Sequence, residues 1–192
     1  FACLIGSSLL FYAGWELIIV GLLCVLFAFL YTTGPYPLSY NGWGDILVIV
    51  FFGFVPVGGK YYVQALTWTT DTTIASLICG LLIDTLLVVN NYRDREADAR
   101  SGKRTVIVRF GEKFGSYLYL MLGMTASLLC FWFLFEGHLY AALPLLYLIP
   151  HFLTWKRMVR IHSGKKLNSI LGETSRNMLL MGILLSIGFF LN

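Results

Sequence analysis

Seven apolar runs constrain this chain more than any other feature: residues 3–13, 15–31, 46–63, 74–91, 115–135, 139–155 and 177–191. A helix crosses a membrane with about 20 mostly apolar residues. The runs therefore predict six full spans and, at the N-terminal end, one partial span. Hydrophobic residues make up 58% of the chain and charged ones 12%, against about 25% charged in an ordinary soluble domain. Neither a soluble globule nor a disordered chain fits that balance. The expected class is all-α, a multi-span transmembrane helix bundle, with residues 1–192 as one transmembrane domain. Phe1 already lies inside an apolar run, so the sequence is expected to start partway through a larger protein.

The placement of charge gives the bundle a direction. Of fourteen Lys and Arg, seven lie between Arg93 and Lys113, five between Lys156 and Lys166, and the others are Arg176 and Lys60. Connectors 32–45, 93–114 and 156–176 fall on one side, and 13–14, 59–73 and 136–138 on the other. Lys and Arg accumulate in cytoplasmic loops, so the first set is expected to face the cytoplasm. Such loops also suit an anionic ligand or lipid headgroups. Nucleic acid is not an expected partner, because the charges flank spans and no nucleic-acid motif accompanies them. Cys3, Cys24, Cys79 and Cys130 each stand alone in an apolar run. They read as small buried hydrophobes, not as disulfides or zinc ligands.

Residues 32–45, TTGPYPLSYNGWGD, are rich in Gly, Pro and Asn and predict a loop. Tyr31, Tyr36, Tyr40 and Trp43 make it either an interfacial aromatic belt or a loop that covers a site. Pro56, Pro144 and Pro150 fall inside apolar runs and predict kinks.

One stretch carries the chemistry. From Asn90 to Thr105 the chain reads NNYRDREADARSGKRT, continuing a helix beyond its apolar part until Gly102 ends it. Residues four apart share a helix face, so Asn90, Asp94 and Asp98 form one polar stripe. Two carboxylates a turn apart can share a divalent cation. Mg²⁺ usually takes one or two carboxylates and fills its shell with waters and substrate phosphates. Arg93, Arg100, Lys103, Arg104 and Arg109 could meet the remaining phosphate charge. The spacing fits a diphosphate–magnesium site at a membrane surface, and equally a solvated helix end with Glu96 and Arg100 paired.

The full string resembles the second aspartate-rich motif of the UbiA-type intramembrane aromatic prenyltransferases. The matching residues are Asn90, Asn91, Arg93, Asp94, Asp98, Gly102, Lys103 and Thr105, followed by Val108, Arg109, Phe110 and Gly111. Tyr31 to Asp45, leading into Phe51, Phe52 and Gly53, is similar to the branch that prenylates 1,4-dihydroxy-2-naphthoate in menaquinone biosynthesis. The resemblance implies an Mg²⁺-dependent enzyme of the bacterial inner membrane with its site on the cytoplasmic side. Its substrates would be a polyprenyl diphosphate and a dihydroxynaphthoate-type acceptor, decarboxylated in the reaction, within the lipid bilayer. It implies Asp94 and Asp98 as metal ligands and catalytic residues. Asn90, Asn91, Arg93, Lys103 and Arg109 would bind diphosphate, and Tyr31 and Tyr36 would face the allylic cation. Family members carry another aspartate-rich motif, NDxxD-like, and this sequence has none. The chain is thus expected to be the C-terminal two-thirds of the family fold, holding half of the site and inactive alone.

Smaller expectations concern single polar groups. Asp84, inside an apolar run, is expected to be protonated or hydrogen-bonded in packing. Asp45 stands as a helix cap or a substrate contact. His151 is expected to be hydrogen-bonded within the bundle, His138 and His162 to be solvated, and Glu173 to sit near the start of the last helix. The competing functions are prenylation of another acceptor, such as 4-hydroxybenzoate or a chlorin, and a transporter or scaffold whose basic loops only set topology.

Overall fold

In lipid the backbone must satisfy its hydrogen bonds internally, and the apolar runs do so as helices. The computed structural model describes residues 6–191, and all their regular structure is helical. After short turns at Ser7–Leu9 and Leu10–Ala13 come α1 (Glu16–Thr32) and α2 (Gly44–Ala65). They are followed by α3 (Thr70–Arg100), α4 (Val106–Phe110) and α5 (Glu112–Phe135). A 3₁₀ stretch at Leu139–Tyr147 leads into α6 (Leu148–Ile161), and α7 is Lys165–Phe190. Residues 3–5, which open the first apolar run, and Cys3 lie outside the described residues.

Four helices, α2, α3, α5 and α7, are long and apolar enough to cross a membrane. The expected six full spans are thus four among the described residues, with two shorter apolar helical segments. At 17 residues, α1 is about 26 Å long, less than the roughly 30 Å of a hydrocarbon core. The run at 139–155 splits because its first half, containing Pro144, is 3₁₀. Pro56 lies in a π-helical stretch of α2, Ile49–Gly58, a wider register that accommodates a residue without an N–H. Pro150 sits in the first turn of α6, where proline needs no kink. The connector expected at 156–176 is mostly helix. Lys and Arg are good helix formers, so α6 and α7 extend past their apolar parts and only 162–164 turns, with His162 and Gly164 at positive φ.

Helix α3 is the centre, packed against α2, α5 and α7. Its approach to α2 requires two glycines. A Cβ on Gly53 would meet the Ser76 carbonyl at 2.5 Å and Gly80 Cα at 2.8 Å. Around α5, α6 and α7, several buried polar groups find partners, while Ser127 Oγ and Trp155 Nε1 have none. His151 meets Tyr147 Oη through Nδ1 at 2.9 Å and the Leu120 carbonyl through Nε2 at 3.3 Å, as expected. Tyr119 Oη and Thr174 Oγ1 lie 3.0 Å apart, and Asn177 donates to Thr154 Oγ1 at 2.9 Å. Glu173 is beyond the first turn of α7 and pairs with Arg157 at 2.6 Å; a helix-start role does not apply. Asp84 is 2% exposed, and its Oδ1 has no hydrogen-bond partner, so the expected hydrogen-bonded packing is not observed there. His162 is exposed and pairs with Glu112 at 3.1 Å, while His138 stacks edge-on with Phe189. Cys24, Cys79 and Cys130 are free thiols.

Candidate active site at the basic end of the bundle

The C-terminal part of α3 projects beyond its apolar run and carries the expected stripe. It ends where Gly102 was predicted to end it, at φ +80. The reversal is closed by the Lys103 N–H donating to the Asp98 carbonyl at 2.9 Å. Thr105 then caps α4, its Oγ1 accepting from the Val108 N–H at 3.3 Å. These local closures hold Lys103 beside the acidic stripe.

Each carboxylate already faces a cation. Arg93 donates Nε to Asp94 Oδ1 at 2.8 Å and Nη2 to Oδ2 at 2.6 Å, a two-point fork. The same guanidinium bonds Asn90 Oδ1 at 2.7 Å and Asn168 Oδ1 at 3.0 Å. The hydrogen bonds from Arg93 hold the Asp94 carboxyl below the usual carboxylate range. Asp98 Oδ1 lies 3.2 Å from Lys103 Nζ, and its side chain is 10% exposed. Lys103 Nζ also sits 5.3 Å from the centre of the Tyr40 ring.

Beside the stripe lies a polar cavity of about 320 Å³. Asn90, Asn91 and Lys103 line it from the α3 side, and Tyr31, Tyr40 and Asp45 from the other. An apolar cavity of about 580 Å³, lined by Phe27, Phe51 and Phe52, shares Tyr31 and Leu87 with it. A charged head and a hydrocarbon tail of one ligand would fit across that junction.

Of the residues singled out from sequence, Asn90, Asn91, Lys103 and Tyr31 line the polar cavity. Asp94, Asp98 and Arg93 stand next to it, tied to its lining through Asn90 and Lys103. Arg109 does not join them: it donates Nε to the Arg104 carbonyl at 3.0 Å and Nη2 to the Asn41 carbonyl at 2.7 Å. Tyr36 is 57% exposed and outside the lining. The geometry adds Leu87 and brings Ser39 and Thr105 of the two quoted stretches into the lining. Asp45 is not the N-cap of α2, which is Trp43; it lies in the first turn and lines the cavity. Its signals in the sequence were an acid closing a Gly-rich loop and the Tyr31–Asp45 resemblance, which Ser39 shares, whereas Leu87 had none.

The donors can be tested against a metal. Asp94, Asp98 and the Asn90 amide offer hard oxygens on one helix face, as Mg²⁺ prefers. Among the described residues no cluster of three or more His, Cys, Asp or Glu could hold a metal ion. These oxygens, now accepting from Arg93 and facing Lys103, would supply part of an Mg²⁺ shell.

The sequence has relatives among known proteins. The chain is 32% identical over 188 residues to the 1,4-dihydroxy-2-naphthoate octaprenyltransferase of Haemophilus influenzae, covering 96% of this chain and 59% of that one. It is 34% identical over 178 residues to the Escherichia coli protein of the same name, covering 91% and 58%. With the Mycobacterium tuberculosis protein of that name it shares 42% identity over 119 residues, 62% and 40% of the two chains. The chain thus spans somewhat under three-fifths of the length of the first two relatives. No solved structure matches it. The description "UbiA prenyltransferase family" matches residues 1–189, a stretch that takes in the acidic stripe, the cavity it borders and every spanning helix, and the chain belongs to that family.

Proposed function

We propose that this chain supplies half of the site, and is inactive alone, in a protein that transfers a polyprenyl group from its diphosphate to 1,4-dihydroxy-2-naphthoate, with loss of CO₂, in menaquinone biosynthesis. The observation that carries the reading is the junction at Tyr31 and Leu87 of a polar cavity with an apolar one, beside the acidic stripe. A polyprenyl diphosphate has that division between a charged head and an apolar tail. The names of the relatives supply the acceptor.

On this reading Asp94 and Asp98 would hold Mg²⁺, with Asn90 as a neutral oxygen donor; bound there, the ion neutralises the leaving diphosphate. Asn91, Arg93 and Lys103 contact diphosphate oxygens, Lys103 as a point charge and Arg93 as a fork. The bond from the allylic carbon to oxygen breaks with its electron pair on the diphosphate. Tyr31, at the junction, presents its ring face to the developing cation. The electron-rich naphthoate ring attacks that carbon, and its carboxylate leaves as CO₂, the electron pair of the broken bond restoring the aromatic ring. Phe27, Phe51 and Phe52 hold the first prenyl units and keep water from the cation. The concentration of Lys and Arg at this end supports a cytoplasmic site, in a bacterial inner membrane.

The experiment is transfer by the protein expressed from its complete gene, in lipid nanodiscs, with labelled polyprenyl diphosphate, Mg²⁺ and a panel of aromatic acceptors. A prenylated, decarboxylated product from dihydroxynaphthoate alone is expected. Equal use of 4-hydroxybenzoate would overturn the acceptor, and diphosphate release independent of any acceptor would overturn the reaction.

A further inference from the structure

The loop at 33–43 forms one wall of the polar cavity and is fastened by side chains and backbone alike. Within the loop, Ser39 Oγ donates to the Tyr31 carbonyl at 2.5 Å, and Asn41 Nδ2 to the Pro37 carbonyl at 2.8 Å. Its link across the cavity mouth is made to residues 104–109. The Arg104 N–H donates to the Tyr40 carbonyl at 2.7 Å. Arg109 then joins both strands of this contact through the Arg104 and Asn41 carbonyls. Gly42 is shaped for the guanidinium. Its φ is +80, and a Cβ there would lie 3.1 Å from the Arg104 carbonyl and 3.5 Å from Arg109 Cζ. Arg109 itself rides on a fixed base: α4 is capped by Thr105, and Ile107 is 2% exposed against Gly115 of α5.

We infer that Arg109 is a positioning residue that clasps the 33–43 loop over the polar cavity and so keeps water from the reacting carbon, rather than a ligand of the diphosphate. Two of its donors are committed away from a phosphate role, one to the Asn41 carbonyl of the loop and one to the Arg104 carbonyl. It grips the loop at the Asn41 carbonyl, between Tyr40 and Gly42, which line the cavity. A lysine cannot reproduce the grip, because one ammonium lacks the planar fork that reaches two carbonyls at fixed separation.

The chemical consequence rests on the transfer reaction proposed above. When the carbon–oxygen bond of the allylic diphosphate breaks, the cation can be taken by the aromatic ring or by water. Water attack forms a new carbon–oxygen bond, releases one proton and yields the free prenyl alcohol plus diphosphate. A loosened loop admits water and shifts that partition.

The test compares Arg109→Ala, Arg109→Lys and Gly42→Ala with the wild type, all expressed from the complete gene in nanodiscs. Amide exchange of the Arg104 and loop N–H groups is read by mass spectrometry. The prenyl alcohol is quantified against the aromatic product, and the affinity for inorganic diphosphate with Mg²⁺ is measured. Expected for Arg109→Ala is exchange about tenfold faster, the equilibrium value of roughly one net hydrogen bond. A several-fold higher alcohol fraction and diphosphate affinity within about twofold of wild type accompany it. Arg109→Lys falls between, and Gly42→Ala, which pushes the loop off from the other side, reproduces Arg109→Ala. Diphosphate affinity lost by tenfold or more with exchange unchanged would make Arg109 a ligand and overturn the proposal, as would unchanged exchange in both Arg109 variants. If the wild type transfers to no acceptor, the transferase reading fails, while exchange and diphosphate affinity still decide the clasp.

Discussion

Placing a methyl group on Gly80 tests how the site is held together. In Gly80→Ala the new Cβ would lie 2.8 Å from the Ile49 carbonyl oxygen and 2.9 Å from Ile49 Cα, where ordinary contact begins near 3.4 Å. Both atoms are backbone and cannot rotate away. Helices α2 and α3 must part by roughly 0.6 Å, and a gap of about 0.5–1 Å forfeits a quarter to a half of the dispersion energy of the contacts it opens. Overpacking of this kind costs about 1–3 kcal/mol. Alanine returns about 0.5–1 kcal/mol over glycine in a helix interior, so the net loss is about 1–2 kcal/mol. Gly59→Ala is the control, since nothing lies within 4 Å of a Cβ there; it should stabilise by about 0.5–1 kcal/mol. Gly53 borders the same gap, so Gly53→Ala and Gly80→Ala should cost less together than their sum, as coupled neighbours do. The functional effect should exceed the loss of stability. Helix α2 carries Asp45 of the polar cavity and Phe51 of the apolar one, and a displacement of about 1 Å can cost a hundredfold in rate. Thermal unfolding in nanodiscs and the transfer rate are the assays. A Gly80→Ala protein that unfolds at or above the temperature of Gly59→Ala would refute the close crossing of α2 and α3.

Other substitutions separate folding from chemistry. Asp94→Asn removes a partly exposed ion pair and should cost under about 1 kcal/mol in unfolding, while Mg²⁺-dependent diphosphate binding falls by at least tenfold in a calorimetric titration. Because Arg93 lowers the Asp94 pKa, the pair's stabilisation is complete above the unfolded value of about 3.9 and is lost as pH falls through the still lower folded value. Asp94 should therefore contribute no change in unfolding temperature or diphosphate binding between about pH 6 and 8. Lys103→Met leaves the buried Asp98 carboxylate without its cation, at about 1–3 kcal/mol, and should weaken diphosphate binding as well. Tyr119→Phe orphans the buried Thr174 hydroxyl and should cost about 1–2 kcal/mol in thermal unfolding, most of it recovered in the double variant with Thr174→Val, where no polar group is left unpaired.

How far the sequence disclosed all this depends on range. The stripe of Asn90, Asp94 and Asp98 and the stop at Gly102 were legible because they depend only on helical repeat and on glycine. Hydropathy located the helices but not their ends: charged residues of α6 and α7 keep good helix propensity outside lipid, so the connector expected at 156–176 shrank to a turn at 162–164. The π-helical stretch of α2 had no local sign beyond Pro56. The cavity was not legible, since Tyr40 and Lys103 meet across about sixty residues of chain. The contacts of Arg109 were hidden for a related reason. Its partners are backbone carbonyls, which every residue has, so no residue type at Asn41 or Arg104 marks the contact. Only Gly42, following Asn41 as an ordinary turn signal, hinted that the loop reverses there.

The central claim is that Asp94 and Asp98 serve polyprenyl diphosphate chemistry at the junction of the two cavities. Its most direct test is single-turnover transfer from labelled polyprenyl diphosphate to 1,4-dihydroxy-2-naphthoate by the complete gene product in nanodiscs. Wild type, Asp94→Asn and Asp98→Asn are compared, with unfolding temperature followed in parallel. The account predicts an Mg²⁺-dependent, decarboxylated prenyl product from the wild type and its loss in both variants, which remain folded. Transfer at the wild-type rate by either variant would contradict it.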